Sequence, residues 1–158
     1  SPKPYILSQI ITKQDVSTEA VRQYGNDIGD IFKKYGIQSR SEGVIVRESQ
    51  LKEDPSILKE LDPIADSYKK IINALVKLTV PKSLDSLHLD IINSMNGGLF
   101  IVESFKKSAT DPVSGLQAVS QYQTVSSSLT SSLMAVKKYI VSLGITYSPS
   151  EAGYIFTK

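Results

Sequence analysis

The sequence predicts an all-α fold: an antiparallel up-down bundle of four main helices, the second one broken or kinked. Apolar residues recur at spacings of three and four along four long stretches, which marks one helix face each time. Capping signals precede those stretches. Asp-Pro occurs at Asp54-Pro55, Asp62-Pro63 and Asp111-Pro112, where proline at the first helical position costs nothing because its missing N–H would be unpaired anyway. No segment alternates with the strand period of two, except Gly144 to Tyr147 and Tyr154 to Phe156, both too short to alter the class. The 158 residues, 41% hydrophobic and 22% charged, match one ordinary globular domain with a real core.

Residues 1–16 carry Pro2 and Pro4 and lack helical periodicity, so they read as an extended N-terminal arm. Ile6, Leu7, Ile10 and Ile11 are apolar enough to pack it on the body, residues 17–158. Ser17 then caps a first helix whose inner face is Val21, Tyr24, Ile28, Ile31 and Tyr35, with Gly36 as the C′ residue. Ser41 caps a short helix running to about Lys52. The stripe Ile57, Leu61, Ile64, Tyr68, Ile71, Leu75, Leu78 runs through Pro63, which predicts a helix kinked or restarted at Asp62 and closed by Pro81.

A third helix is expected from Ser83 to Ala109, with Leu84, Leu87, Ile91, Met95, Leu99, Val102 and Phe105 inward. Asp111-Pro112 opens the fourth, whose seam reads Leu116, Val119, Tyr122, Ser126, Leu129, Leu133, Val136, Ile140, Leu143 before Gly144 stops it. Ser148 and Glu151 have the spacing of a capping box. The tyrosines around it, with Ile155 and Phe156, predict a tail folded back on one end of the bundle.

The formal net charge of +2 implies no polyanionic partner. Three of the lysine pairs, at residues 33–34, 106–107 and 137–138, fall in the last turns of helices at opposite poles, so nucleic acid is not expected. Cysteine is absent, which excludes disulfides and thiolate chemistry. No run reaches the roughly 18 uncharged apolar residues of a membrane span.

His88 is the only histidine, which removes di-iron sites and multi-histidine zinc. Asp85 and His88 stand on adjacent turns and form the one candidate for a metal or acid–base pair; a histidine hydrogen-bonded within the core is the reading preferred over it. Gly97-Gly98 is the other candidate. Folding the third and fourth helices back about residue 111 sets these glycines opposite Thr124 to Ser126, where they serve a close helix seam or a small-molecule groove. No cofactor is expected. The serines at 126–128 and 131–132 lack a nucleophile elbow and read as small packing residues.

Several segments resemble a group of helical proteins of candidate-phyla-radiation bacteria that carry no assigned activity. They are Ala20 to Gly36, Leu61 to Pro81, Ser86 to Asn93, Asp111-Pro112, Gln121 to Gln123, and GITYSPSEAGYIF from Gly144 to Phe156. Gly97-Gly98 departs from the pattern. The resemblance implies an extracytoplasmic domain held by one N-terminal transmembrane helix, with the abrupt start at Ser1 fitting an anchor upstream. The resulting expectation is a non-catalytic module that binds another cell-surface protein or acts as a spacer. The alternative is a small-ligand or metal-binding bundle using His88, Gly97 and Gly98. The oligomeric state is not legible.

Overall fold

The computed structural model describes residues 2–157; Ser1, where the expected arm begins, and Lys158 lie outside them. The described chain is mostly helical. It comprises α1 (Thr18–Tyr35), α2 (Glu42–Leu51), α3 (Asp62–Lys77), α4 (Asp85–Lys106) and α5 (Pro112–Ser142), with two short strands, β1 (Ile11–Lys13) and β2 (Thr79–Pro81). Short 3-10 segments at Leu7–Gln9, Pro55–Leu61, Lys82–Leu84 and Ala152–Phe156 connect or finish them. Among the described residues no helix is long and apolar enough to cross a membrane.

The caps form where the sequence places them. Ser17 Oγ accepts from the Ala20 amide at 3.2 Å, Ser41 Oγ from Val44 at 3.3 Å, and Asp111 Oδ1 from Ser114 at 3.2 Å. Each pairs one of the amides that a first helical turn leaves free. At the end of α5, Gly144 adopts φ +75°, and the amides of Gly144 and Ile145 reach the carbonyls of Val141 and Ile140, a Schellman closure. Gly36 differs from the expected left-handed C′ residue: its φ is −65°. Its glycine is a matter of space, since a Cβ there would lie 2.5 Å from the Phe32 carbonyl oxygen.

Asp62 does not cap. The chain passes from the 3-10 segment straight into α3, so the cap position falls on Leu61, and the Asp62 carboxylate pairs with Lys106 Nζ at 3.0 Å. The restart at Asp62-Pro63 is therefore a change of helix type. The arm is also more than extended chain, because β1 pairs in parallel with β2, Ile11 opposite Thr79. Strands this short carry no period to read, and the two strand-like segments near the C-terminus are irregular and 3-10 instead. Asn93 grips the arm like a neighbouring strand: Oδ1 accepts from the Tyr5 amide at 2.8 Å and Nδ2 donates to the Tyr5 carbonyl at 3.1 Å. Of Ile6, Leu7, Ile10 and Ile11 only Ile10 is buried.

The contacts between α3 and α4, and between α4 and α5, pair the end of one helix with the start of the next. Asp62 meets Lys106, Tyr68 meets Gly98, and Leu75 meets His88 between α3 and α4. Between α4 and α5, Ser94 meets Ser128, Gly97 faces Val125, and Ser108 lies against Gly115. The α5 seam holds at Val136 and Ile140, which are buried as expected, and is rotated in the first turns. Leu116 and Val119 are 71% and 58% exposed, while Gly115 and Ala118 are buried. The tight turn from α4 brings the two helices so close that small residues must face inward there: a Cβ on Gly115 would come within 2.8 Å of Ser108 Cβ.

The core divides into two clusters. One joins Val21, Tyr24, Ile28, Leu75, Ile91, Val136, Ile140, Tyr147 and Phe156. The other joins Ile45, Leu61, Ile101, Phe105 and Ala118. Tyr68 and Leu99 pack against both. The tail folds back as expected, onto α1. A Cβ on Gly25 would strike the Tyr147 hydroxyl, and one on Gly29 the Ala152 carbonyl, so these two glycines open the groove that receives it. Tyr147 donates to the Arg22 carbonyl at 3.0 Å, Arg22 reaches Glu151 at 2.6 Å, and Asn26 Oδ1 accepts from the Gly153 amide at 2.7 Å. Half of the Ser148–Glu151 capping box forms, Glu151 accepting from the Ser148 amide at 3.0 Å.

Candidate functional site

His88 is fully buried, and both ring nitrogens are occupied. Nε2 lies 2.8 Å from the Leu75 carbonyl and Nδ1 lies 2.7 Å from the Tyr24 hydroxyl. A carbonyl only accepts, so Nε2 carries the proton; Nδ1 then accepts from Tyr24. The ring is a neutral strut joining α1, α3 and α4. Burial holds its pKa below the ordinary histidine value, against the opposing pull of the Leu75 carbonyl. Asp85 looks elsewhere: its carboxylate takes Lys82 Nζ at 2.7 Å and the Ser86 amide at 2.6 Å. The lysine is the main cause of its lowered pKa. His88 and Asp85 thus share a helix and no chemistry. Among the described residues no group of three or more potential metal ligands forms.

The two glycines part company. Gly97 faces Val125 of α5, where a Cβ would make ordinary contact at 3.5 Å, so close helix approach does not require it. Gly98 turns toward α3 and lies under the ring of Tyr68, where a Cβ would come within 2.6 Å. The backbone of α4 is the floor on which Tyr68 rests.

Tyr68 stands between two adjoining depressions of about 250 Å³ each. The first is lined by Gly98, Ile101, Val102, Tyr122, Val125 and Leu129; the second by Phe32, Ile37, Ile64, Ile71, Met95 and Leu129. Glu42 and Tyr68 border both, so they read as one apolar cleft with a shared polar gate. Glu42 is delivered by the first turn of α2, which Ser41 caps. Tyr122 of α5 donates its hydroxyl to Glu42 Oε2 at 3.2 Å. The Tyr68 hydroxyl has no hydrogen-bond partner among the described residues and sits at the gate.

Desolvation, reinforced by the Glu42 charge, pushes the Tyr68 phenol up to about 12. The same causes raise Tyr122. Both hydroxyls therefore stay protonated at neutral pH, and the carboxylate of Glu42 is the gate's one formal charge. The Ser94 and Ser128 hydroxyls, 2.9 Å apart, lie between α4 and α5 beside the cleft.

No family model, curated protein or solved structure matches the chain. Its site is therefore read from geometry. Sequence reasoning found Gly98 and missed its partners. Tyr68 was legible only as a member of an apolar stripe, and Glu42 only as a residue following the Ser41 cap.

Proposed function

We propose that the chain is a non-catalytic binding module and that the cleft gated by Glu42, Tyr68 and Tyr122 holds a small molecule. Tyr68 is the observation that carries this reading. Its hydroxyl is half-buried at the meeting point of two apolar depressions, lacks a protein partner, and is seated there by a glycine that costs an α-helix about 1 kcal/mol. An apolar hollow with a few convergent polar groups is the usual form of a small-molecule site. Hydroxyls held protonated and a carboxylate already hydrogen-bonded suit recognition better than proton transfer. Within this reading α1, α3, α4 and α5 form an antiparallel up-down bundle, and the cleft lies at its seam. Resemblance to anchored extracytoplasmic proteins supports a place outside the cytoplasm.

The test is a screen of small apolar and amphiphilic compounds against the ¹⁵N-labelled protein, read by amide shift perturbation. Binders should move Gly98, Ile101, Tyr68 and Tyr122 together. Ser126→Trp plugs the first depression from its exposed rim without touching the core. It should keep the melting temperature and lose the perturbations. Shifts that ignore this cluster, or that survive Ser126→Trp, would refute the reading.

A second reading concerns a protein partner. Leu51 on α2 and Leu116 on α5 are 77% and 71% exposed, and exposed large apolar side chains are typical of docking surfaces. If a cell-surface protein docks there, capture from cell envelopes should recover it with the native domain and lose it with Leu116→Glu. Equal recovery by both would reject this surface.

A further inference from the structure

We infer that the cleft selects a primary amine carried on an apolar body, its ammonium seated between Glu42 and the hydroxyls of Tyr68 and Tyr122. The inference rests on the cleft being the binding site and adds what it binds.

Charge comes first. Glu42 is the only formally charged side chain lining either depression. It takes part in none of the ion pairs among the described residues, and its hydrogen-bond donor is the neutral Tyr122 hydroxyl. Three basic residues are engaged with other carboxylates, Arg40 with Glu48 and Glu60, Lys69 with Glu103 and Lys106 with Asp62. Arg47 of α2 lines a separate depression on the far side of Tyr122 from Tyr68 and Gly98. A carboxylate at the edge of an apolar hollow, with no cation of its own, favours a positively charged guest and repels an anion.

The helix end behind Glu42 does not reverse that preference. A free helix N-terminus attracts anions, but here the Ser41 hydroxyl already occupies the Val44 amide and the Glu42 carboxylate already answers the dipole.

Donor count narrows the guest further. The gate offers acceptors: the second oxygen of Glu42, the lone pairs of Tyr68, and what the Ser126 hydroxyl leaves of the Tyr122 oxygen, whose proton is committed to Glu42. A primary ammonium brings three N–H donors on one atom, which matches this arrangement; a quaternary ammonium brings none. Beyond the gate, Ile101, Val102, Val125 and Leu129 on one side and Ile71 and Met95 on the other favour an apolar body, with uncharged serine and threonine side chains at the margins. Raised phenol pKa values keep both tyrosines neutral across neutral pH.

The probes are 4-phenylbutylamine, 4-phenylbutanol and 4-phenylbutyrate, which share a body and differ in head group, titrated at pH 7 against the full chain by amide shift perturbation. The amine should bind at Gly98, Tyr68 and Tyr122 at least about tenfold more tightly than the alcohol, with the carboxylate weakest. Glu42→Gln should reduce amine affinity to that of the alcohol and leave the alcohol unchanged. Tyr68→Phe should weaken the amine selectively. Amine and alcohol binding equally at these residues would overturn the amine inference and leave the cleft reading standing. Binding of all three elsewhere, or no perturbation of the cleft, would overturn both. Equal melting temperatures of the variants guard against a folding explanation.

Discussion

Acidification through pH 6.5 should destabilise this protein in a way that belongs to one residue. His88 is neutral in the fold, with Nε2–H donated to Leu75 and Nδ1 accepting from Tyr24. Protonating Nδ1 replaces an acceptor by a donor facing a hydroxyl, in a site without water access, and burial lowers the folded-state pKa. The unfolded chain therefore binds the proton more readily than the folded one. Linkage then fixes the sign: stability is fully present above the unfolded value of about 6.5 and falls as pH drops from there toward the folded pKa. The steepest slope one group can impose is about 1.4 kcal/mol per pH unit. Because the chain has a single histidine, and imidazole is the side chain whose ordinary pKa falls in this range, the interval from pH 6.5 to 5 reads His88.

Urea unfolding followed by far-UV circular dichroism at half-unit steps from pH 8 to 5 measures this directly. The expected result is a plateau above pH 7 and a loss of about 1 kcal/mol between pH 6.5 and 5.5, if the folded pKa lies below that interval. His88→Gln should be less stable throughout, by about 2–3 kcal/mol for the broken buried pairs, and should show no slope in this window. A flat wild-type profile, or a slope that persists in His88→Gln, would refute the neutral-strut assignment.

Gly29→Ala should cost about 2 kcal/mol or more, because its methyl meets the Ala152 backbone carbonyl, which has no rotamer by which to retreat; faster amide exchange across residues 145–157 would locate the damage in the tail. Glu53 closes α2 with φ +51°, a conformation that burdens a residue with a Cβ. Glu53→Gly should raise stability by up to about 1 kcal/mol in urea unfolding.

Elements with a local physical signature were legible. Ser17, Ser41 and Asp111 cap because a short oxygen-bearing side chain beside a helical run has few other uses, and Gly144 ends α5 because a left-handed residue is needed there. The fold-back of α4 on α5 was legible too, since the connection is too short for anything else. What the sequence withheld depends on tertiary distance. Leu116 is as apolar as a core residue and lies outside, because Gly115 and Ala118 let α5 approach α4 more closely. Asp85 and His88 have ligand-like spacing, yet a helical i,i+3 pair meets only if both side chains turn to one another; Lys82 and Tyr24 draw them apart. The cleft joins all five helices, α1 through Phe32, and no local pattern encodes such a meeting.

Tyr68→Phe separates a residue kept for folding from one kept for recognition. The ring of Tyr68 bridges the two core clusters and lies on Gly98, and phenylalanine preserves every one of those contacts. The hydroxyl alone is removed. It has no hydrogen-bond partner among the described residues, so its loss leaves no protein donor or acceptor orphaned. The usual penalty for breaking a buried pair, about 1–3 kcal/mol, therefore does not apply. Urea unfolding of Tyr68→Phe should agree with wild type within about 0.5 kcal/mol. A fall of more than 1 kcal/mol would mean that the hydroxyl serves the fold, and the case for a gate would lose its central residue. Unchanged stability together with weakened amine binding leaves recognition as the use of an oxygen that the core does not need.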